Sequence, residues 1–371
     1  MKPASPSAPI SSESTFAARL KAYKQTIDND IAIYSKHVAA VTRDQYGEYG
    51  ALTTGVFLDI LQRGGKRIRG TLAMVGYEMC GGKDRVMIAR AASALEMMHA
   101  YLLIIDDIQD RSALRRGKPS AHELLAAYHT KQHLDGDAAH MGISLALNAG
   151  LAGMHAAQML LAGLQVDPEL RIKAIGIINH TMVITSHGQT YDIMNELTPE
   201  VDMRDIAHAL EWKTAHYTFL NPLCTGMALA GAGCEATDAI RDYALHAGLA
   251  FQIADDIISV FGDQTKTGKV PMDDIREGKR TLLTAYALAH ATSRDKTFLL
   301  RCLGNQKLTK QDFDHTKEIL EQSGALAAAK DAAEKHIATA LKSLDANRYH
   351  WHPDGVTFLR DLAQQVLGRS A

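Results

Sequence analysis

Apolar residues recur at intervals of three and four along almost the whole chain, with polar residues between them. This spacing places the apolar side chains on one face of an α-helix. The longest such run, residues 83–110, is rich in Ala, Leu and Met, and a first run over 14–41 has Ser14 as its expected N-cap. The pattern predicts further helices over 142–162, 168–195, 203–219, 237–261, 279–291, 310–323, 326–344 and after Pro353.

The chain lacks the pattern of a sheet-based fold. No stretch alternates apolar and polar residues as a strand does, and no strand–helix–strand rhythm occurs. A Rossmann or P-loop architecture is therefore not expected. We predict an all-α helical bundle with one domain over residues 15–371. Residues 1–14 are rich in Pro and Ser, and we predict that they form a disordered tail.

Composition narrows the function classes. The 371 residues are 46% hydrophobic and carry a formal net charge of −2, which argues against general binding to nucleic acid or to a membrane surface. No stretch of about 18 uncharged apolar residues occurs, so we expect no transmembrane helix and no stable membrane anchor. Four cysteines lie far apart without a CxxC pair, which is typical of reduced thiols and predicts a cytoplasmic protein.

Two groups of acidic residues follow apolar helical stretches: Asp106, Asp107 and Asp110, then Asp255, Asp256 and Asp263. Asp106 and Asp110 share one helix face, whereas Asp107 points roughly 100° away. A bare pair of this kind is more often a solvated helix end, but its repetition favours a site at the mouth of a buried cavity. Two like charges about 4 Å apart repel by about 4 kcal/mol at an effective dielectric near 20. Several converging carboxylates therefore need a hard divalent cation such as Mg²⁺.

Basic and polar residues accompany the acids. Lys and Arg side chains hold diphosphate oxygens, Arg in bidentate fashion, although each one singly is more often a solvated surface charge. The candidates are Arg115, Arg116 and Lys118 after the first acids, Lys66, Arg67 and Arg69 in "GGKRIRG", and Lys213, Thr214, Gln252, Lys266 and Lys269 further along. Together with the acids they predict a site for metal ions and diphosphate.

At this point the chain resembles the trans-polyprenyl diphosphate synthases, of the farnesyl and geranylgeranyl diphosphate synthase kind. The motifs that carry the resemblance occur in order: "GGKRIR", "LLIIDDIQD", "LRRGKPSAH", "HGQTYD", "KTAHYT", "FQIADD", "TGK" and "DIREGKRT". The resemblance implies a helical bundle around a deep apolar cavity, a homodimer, and condensation of isopentenyl diphosphate with an allylic diphosphate. It also implies three Mg²⁺ ions with substrate bound.

The resemblance assigns roles residue by residue. The implied metal ligands are Asp106, Asp107, Asp110 and Asp255, with Asp256 in support; Asp106, Asp110, Asp255 and Lys213 are the implied catalytic residues. Arg115, Lys213, Thr214, Gln252 and Lys269 would contact the allylic diphosphate, and Lys66, Arg69, His99 and Arg116 would hold isopentenyl diphosphate. Without the resemblance, His99 would be interpreted as a histidine of the hydrophobic core. The chain departs from the family pattern at Gly70, Ile105, Asn148 and Ser259, none of them a metal ligand assigned here.

Product length depends on the floor of the cavity. The predicted determinants of product length are Tyr101, five residues before Asp106, and Leu102, one turn before it. Met98 is the next candidate. The resemblance favours geranylgeranyl diphosphate, with farnesyl diphosphate as the alternative. A terpene cyclase, a non-catalytic subunit and a structural bundle are the rival classes. The second basic group argues against the cyclase, and the retained leading aspartates argue against the subunit.

Overall fold

The computed structural model of the chain describes residues 15–198, 201–262, 272–346 and 349–370. For residues 369 and 370 it describes the backbone alone. The predicted tail over 1–14, Asp263, Lys266 and Lys269 lie outside the described residues. The fold is all-α, as predicted. The described residues form two compact units, one from 15–175 with 225–231 and one from 176–224 with 232–370. One domain over 15–371 stays a prediction.

The first unit is built from helices joined by short loops. Its elements are α1 (Phe16–Gln62), α2 (Ile68–Met79), α3 (Arg85–Gln109), β1 (Leu114–Arg115), β2 (Lys118–Pro119), α4 (Ala121–Lys131), α5 (Ala138–Ala162) and the start of α6 (Pro168–Leu197). Helix α3 lies in the core and packs against α1, α2 and α5. Asp84 caps it, since its side chain accepts bonds from the Val86 and Met87 amides.

The second unit continues α6 and adds the remaining elements. They are α7 (Met203–His208), a π-helix (Ala209–Leu220), α8 (Asn221–Leu229), α9 (Cys234–Phe261), α10 (Asp273–Glu277), α11 (Leu282–His290), α12 (Ser293–Cys302), α13 (Lys310–Gln322), α14 (Ala325–Ala346) and α15 (Pro353–Ser370). Part of α8 belongs to the first unit. Helix α9 packs against α14, α15 and the π-helix. These neighbours bury its apolar face.

Several local predictions were wrong. Helix α1 is capped by Thr15, whose side chain accepts the Ala18 amide, and it extends to Gln62 through a kink at Gly47 (φ 68°). The short β-hairpin was not expected, because two-residue strands give no alternation to read. The stretch predicted as one helix over 203–219 changes from α to π at Ala209. Residue spacing alone does not show this change, because it depends on packing.

The expectation that no helix spans a membrane stays a prediction, because three helices have the length and composition of a span. Helices α3, α5 and α9 are each long and apolar enough to cross a membrane. Within their apolar windows, 67% of the residues of α3 and 56% of those of α9 are buried inside the protein. Only 33% are buried in α5, which therefore keeps an exposed apolar face.

Candidate active site

The first acidic group lies where α3 ends. Arg111 has a left-handed backbone (φ 54°), and the amides of Arg111 and Ser112 donate to carbonyls of the last helical turn. These bonds form a Schellman motif, which terminates the helix. Asp106 and Asp110 lie one turn apart, with the Asp110 amide bonded to the Asp106 carbonyl at 2.8 Å. Both carboxylates are therefore on one side of α3.

Asp107 makes contacts different from those expected of a metal ligand. Its side chain is fully buried, and it accepts hydrogen bonds from Nη2 and Nε of Arg115, the latter at 2.8 Å. Burial raises the pKa of Asp107 to about 6, although the hydrogen bond and charge of Arg115 lower it. Arg115 Nη2 also lies 3.4 Å from Asp106 Oδ2. Asp107 thus orients Arg115 beside Asp106, and its place among the metal ligands stays a prediction.

The hairpin after α3 presents a second arginine. Arg115 pairs with Lys118 across the strands, and the loop residues Arg116 and Gly117 both have positive φ (55° and 72°). This is the type I′ pattern that matches the twist of a hairpin. A left-handed arginine costs about 1–2 kcal/mol. Such strain is retained mainly at functional sites.

The loop between α1 and α2 contacts this hairpin. A Cβ on Gly65 would lie 2.7 Å from Arg116 Nη2, so the absence of a side chain lets the Arg116 guanidinium lie against the loop. Arg63 Nη1 donates to the Arg115 carbonyl at 3.1 Å, which joins loop and hairpin directly. Lys66, in the same loop, is exposed. Sequence reasoning missed Arg63, because nothing in the local pattern shows that it reaches a loop 52 residues away.

His99 on α3 lies among these cations. Its pKa is well below the usual value because the ring is buried and because Arg69, Arg116, Arg115 and Arg67 are close. The imidazole is therefore neutral at pH 7. The neutral ring adds no further positive charge beside Arg69, Arg115 and Arg116, whose guanidinium groups suit diphosphate oxygens.

The second unit holds the other predicted residues on the π-helix and on α9. Lys213 and Thr214 lie on the π-helix, and Gln252 and Asp255 on α9. Lys213 Nζ forms an ion pair with Asp192 Oδ2 of α6 at 2.5 Å. Asp192 ends the motif "HGQTYD", and sequence reasoning gave it no role. The motif was the available signal, but the pairing with Lys213 appears only in the fold.

A chain of hydrogen bonds links the π-helix to the second acidic group. Thr214 Oγ1 donates to Gln252 Oε1 at 3.0 Å, and Gln252 Nε2 donates to Asp256 Oδ1 at 2.7 Å. Burial, together with the charges of Asp274 and Asp255, raises the pKa of Asp256 to about 8. Asp256 therefore holds its proton at pH 7 in this environment, and Asp255 is the more accessible carboxylate.

Two glycines bring the π-helix against its neighbours. A Cβ on Gly188 of α6 would lie 2.2 Å from the Lys213 amide nitrogen, and a Cβ on Gly248 of α9 would lie 2.7 Å from Ala215 Cα. Backbone contact this close requires glycine. π-Helical turns occur frequently at functional sites, and this one carries Lys213 and Thr214.

The predicted product-length residues differ in their surroundings. Tyr101 is partly exposed, and its Cδ2 lies 3.1 Å from where a Cβ on Gly150 of α5 would be. Leu102 is also partly exposed. Met98 has no accessible surface, so it lines no open space. The structure thus favours Tyr101 and Leu102 over Met98 as residues that a growing chain meets.

The described residues of the predicted site are divided between the two units. The first unit holds Lys66, Arg69, His99, Tyr101, Leu102, Asp106, Asp107, Asp110, Arg115 and Arg116, and the second holds Lys213, Thr214, Gln252 and Asp255. Lys269 is not described. Arg67, counted among the basic candidates, is instead buried in an ion-pair network.

The carboxylates fit Mg²⁺ by their chemistry. Within the described ranges, no three His, Cys, Asp or Glu side chains are arranged to hold a metal ion on their own. Mg²⁺ does not need such a cage, since it keeps several waters and binds through one or two carboxylates plus phosphate oxygens. The raised pKa of Asp256 reflects, after burial, repulsion among nearby carboxylates, which a divalent cation would relieve.

The chain is similar to known proteins of one family. Residues 51–321 match the Polyprenyl synthetase family. A geranylgeranyl diphosphate synthase from Saccharolobus solfataricus is 33% identical over 285 residues, covering 76% of this chain and 80% of that protein. A geranylfarnesyl diphosphate synthase from Aeropyrum pernix is 31% identical, covering 77% and 85%.

A solved structure shows the same fold. The geranylgeranyl pyrophosphate synthase from Corynebacterium glutamicum, complexed with isoprenyl diphosphate and magnesium, superposes with a TM-score of 0.89 at 28% identity. The match covers 94% of this chain and 99% of that chain. This chain belongs to the polyprenyl synthetase family. It is a prenyltransferase of the short-chain prenyl diphosphate synthase class.

Proposed function

We propose that this enzyme condenses isopentenyl diphosphate with an allylic diphosphate in the presence of Mg²⁺, and that its main product is geranylgeranyl diphosphate. One observation carries the proposal. In the first unit, the Arg115 guanidinium contacts Asp106 at the end of α3, and the Arg116 guanidinium lies against the loop that carries Lys66. A cationic site beside carboxylates suits a diphosphate that shares oxygens with a metal ion.

The proposed chemistry divides the cations between two substrates. Arg115, Lys213 and Lys269 stabilise negative charge on the allylic diphosphate as its C1–O bond breaks. Lys66, Arg69, His99 and Arg116 hold isopentenyl diphosphate by its diphosphate group. Mg²⁺ ions held by Asp106, Asp110 and Asp255, three in all, would neutralise the leaving diphosphate.

Bond formation follows from this positioning. The double bond of isopentenyl diphosphate attacks C1 of the allylic cation, a new carbon–carbon bond forms, and loss of one proton to the released diphosphate gives the longer E-allylic diphosphate. Apolar walls keep water from quenching the cation. A terpene cyclase would act on one diphosphate and would need no second set of cations, so Lys66, Arg69 and Arg116 favour the synthase.

Geranylgeranyl diphosphate as product is supported by the relatives and by Tyr101. The relatives named above are synthases of geranylgeranyl and geranylfarnesyl diphosphate. The partly exposed Tyr101 ring is wedged against Gly150, where it can limit chain growth. Farnesyl diphosphate is the alternative product.

We propose that the enzyme is a homodimer in the cytoplasm, without a membrane anchor. Leu147, Leu151 and Met159 on α5 are 44%, 53% and 75% exposed. Ile172 and Val183, eleven residues apart on α6, are 69% and 57% exposed. Apolar faces of this kind are normally covered by a partner. No disulfide joins the four cysteines, all of them in described segments, which supports the cytoplasm.

The test is turnover of isopentenyl diphosphate with each allylic primer, with Mg²⁺ and with EDTA. Asp106→Ala, Asp110→Ala and Asp255→Ala should each lower kcat/KM by about 100-fold or more without loss of folding. Asp44→Ala, which changes an exposed aspartate of α1, is the control and should have no effect. Wild-type turnover in EDTA would exclude the proposed mechanism. Hydrocarbon release from one diphosphate would favour a cyclase, and absence of turnover would favour a binding or structural role.

A further inference from the structure

Arg67 is the basic residue of "GGKRIRG" that does not reach solvent. Its side chain is 3% exposed, whereas its neighbour Lys66 is exposed. Arg67 also has a left-handed backbone (φ 53°) at the N-cap position of α2. Because that conformation is unfavourable for arginine, the surrounding structure must stabilise it.

The Arg67 guanidinium bonds in three directions. Nε lies 2.8 Å from Asp28 Oδ1 in α1, Nη2 donates to the Leu61 carbonyl at 2.7 Å, and Nη1 lies 3.4 Å from Glu96 Oε2 in α3. Asp28 is also paired with Lys24. The planar fork of arginine suits such divided bonding, and lysine could not reproduce it. Arg67 thus ties the loop before α2 to both α1 and α3.

Glu96 extends the network to the start of α2. Its second oxygen, Oε1, accepts the Gly70 amide at 2.9 Å. A proline at position 70, which is common in the family pattern, has no N–H to donate. Glycine at position 70, in place of the family's common proline, therefore supplies an N–H that this network uses. Asp28 lies before residues 51–321, which match the family, so α1 contributes a contact from outside the matched region.

We propose that Arg67 is a positioning residue for the isopentenyl diphosphate site. It does not contact the substrate. With Asp28 and Glu96 it fixes the loop and the first turn of α2, and so sets where Lys66 and Arg69 present their charges. The inference rests on the proposed function for the role of those two cations.

The experiment compares Arg67→Gln with Arg90→Gln. Arg90 also joins α3 to α1, through Nε at 3.0 Å from Asp30 Oδ1, so its replacement removes a bond between the same two helices. Arg67→Gln should raise KM for isopentenyl diphosphate by about tenfold or more, because small displacements of binding groups are costly. It should change kcat and KM for the allylic primer by less than about twofold. Arg90→Gln should lower stability without changing either KM.

Asp28→Asn is the second variant, in case Arg67→Gln does not fold. It should shift KM for isopentenyl diphosphate in the same direction but less, and the double variant should be less than additive. Calorimetric titration with isopentenyl diphosphate measures binding without turnover. If the wild type does not turn over, the proposed function fails while the calorimetry still tests Arg67. An unchanged affinity in both Arg67→Gln and Asp28→Asn would overturn the positioning role.

Discussion

Three arginines of the first unit, Arg67, Arg111 and Arg116, have a left-handed backbone that arginine rarely adopts. All three lie beside the predicted diphosphate site. Arg111 ends α3, Arg116 turns the hairpin, and Arg67 anchors the loop before α2. Backbone strain at Arg67 and Arg116 is typical of functional sites, whereas the left-handed conformation of Arg111 completes the Schellman motif that ends α3.

Arg116→Gly should separate stability from function. Glycine removes the left-handed strain, so the free energy of unfolding should rise by about 1 kcal/mol, while KM for isopentenyl diphosphate should rise by about tenfold or more. Arg111→Gly is the matched control, since it relieves the same strain at a residue without an assigned role. Urea unfolding and steady-state kinetics measure the two effects. An equal KM change in both variants would count against a substrate contact by Arg116.

Tyr101→Ala should lengthen the product by at least one isoprene unit, because it removes a partly exposed ring from the wall formed with Gly150. Met98→Ala is the control. Met98 is fully buried, so its truncation should cost about 2–5 kcal/mol of stability without changing chain length. Mass spectrometry of the products distinguishes the two. A longer product from Met98→Ala alone would place the floor of the cavity deeper along α3.

At the scale of elements, the contact between α6 and the π-helix positions Lys213. Gly188→Ala would place a methyl group 2.2 Å from the Lys213 amide nitrogen. The helices must then separate, which should cost about 1–3 kcal/mol and lower kcat. Gly176→Ala, on the same helix with nothing within 4 Å, should instead stabilise the protein by up to about 1 kcal/mol. Thermal unfolding and kcat together test the contact, and a harmless Gly188→Ala would contradict it.

The contact between α9 and α14 contains a histidine pair that should respond to acid. His246 Nδ1 lies 2.8 Å from His336 Nδ1, and burial, followed by the charge of His246, lowers the pKa of His336. The unfolded chain therefore binds more protons as the pH falls, and the free energy of unfolding decreases. Glu211, which also faces His246, has a lowered pKa because it is bonded to His216, so it stays charged in this range.

His336→Gln should reduce the loss of stability between about pH 7.5 and about pH 5.5. His37→Gln, at an exposed position of α1, should leave that loss unchanged. Urea unfolding at both pH values gives the comparison. An equal acid sensitivity in wild type and His336→Gln would show that the pair does not determine it.

At the scale of the whole molecule, the apolar face of α5 should mediate self-association. Leu151→Glu would place a charge in that face and should convert a dimer to a monomer, as measured by sedimentation equilibrium. Leu300→Glu is the control, because Leu300 on α12 is similarly exposed, 42% against 53% for Leu151. A monomeric wild type would rule out the proposed homodimer.

The sequence by itself determined the all-α class and the candidate residues of the site. Helical periodicity and the spacing of Asp106 and Asp110 are local, since they involve residues less than two turns apart. Helix ends were less certain, as the cap at Thr15 shows, because neighbouring polar residues compete for the same role.

Only the tertiary structure decided what each charged residue contacts. Within one short motif, Lys66 is exposed and Arg67 is buried. Within one acidic group, Asp107 is buried against Arg115, whereas Asp106 is partly exposed. The pairing of Lys213 with Asp192 and the change to a π-helix also appear only in the fold. The reason is physical: left-handed arginines, buried charges and π-helical turns are unfavourable locally, and contacts between residues far apart in the chain stabilise them.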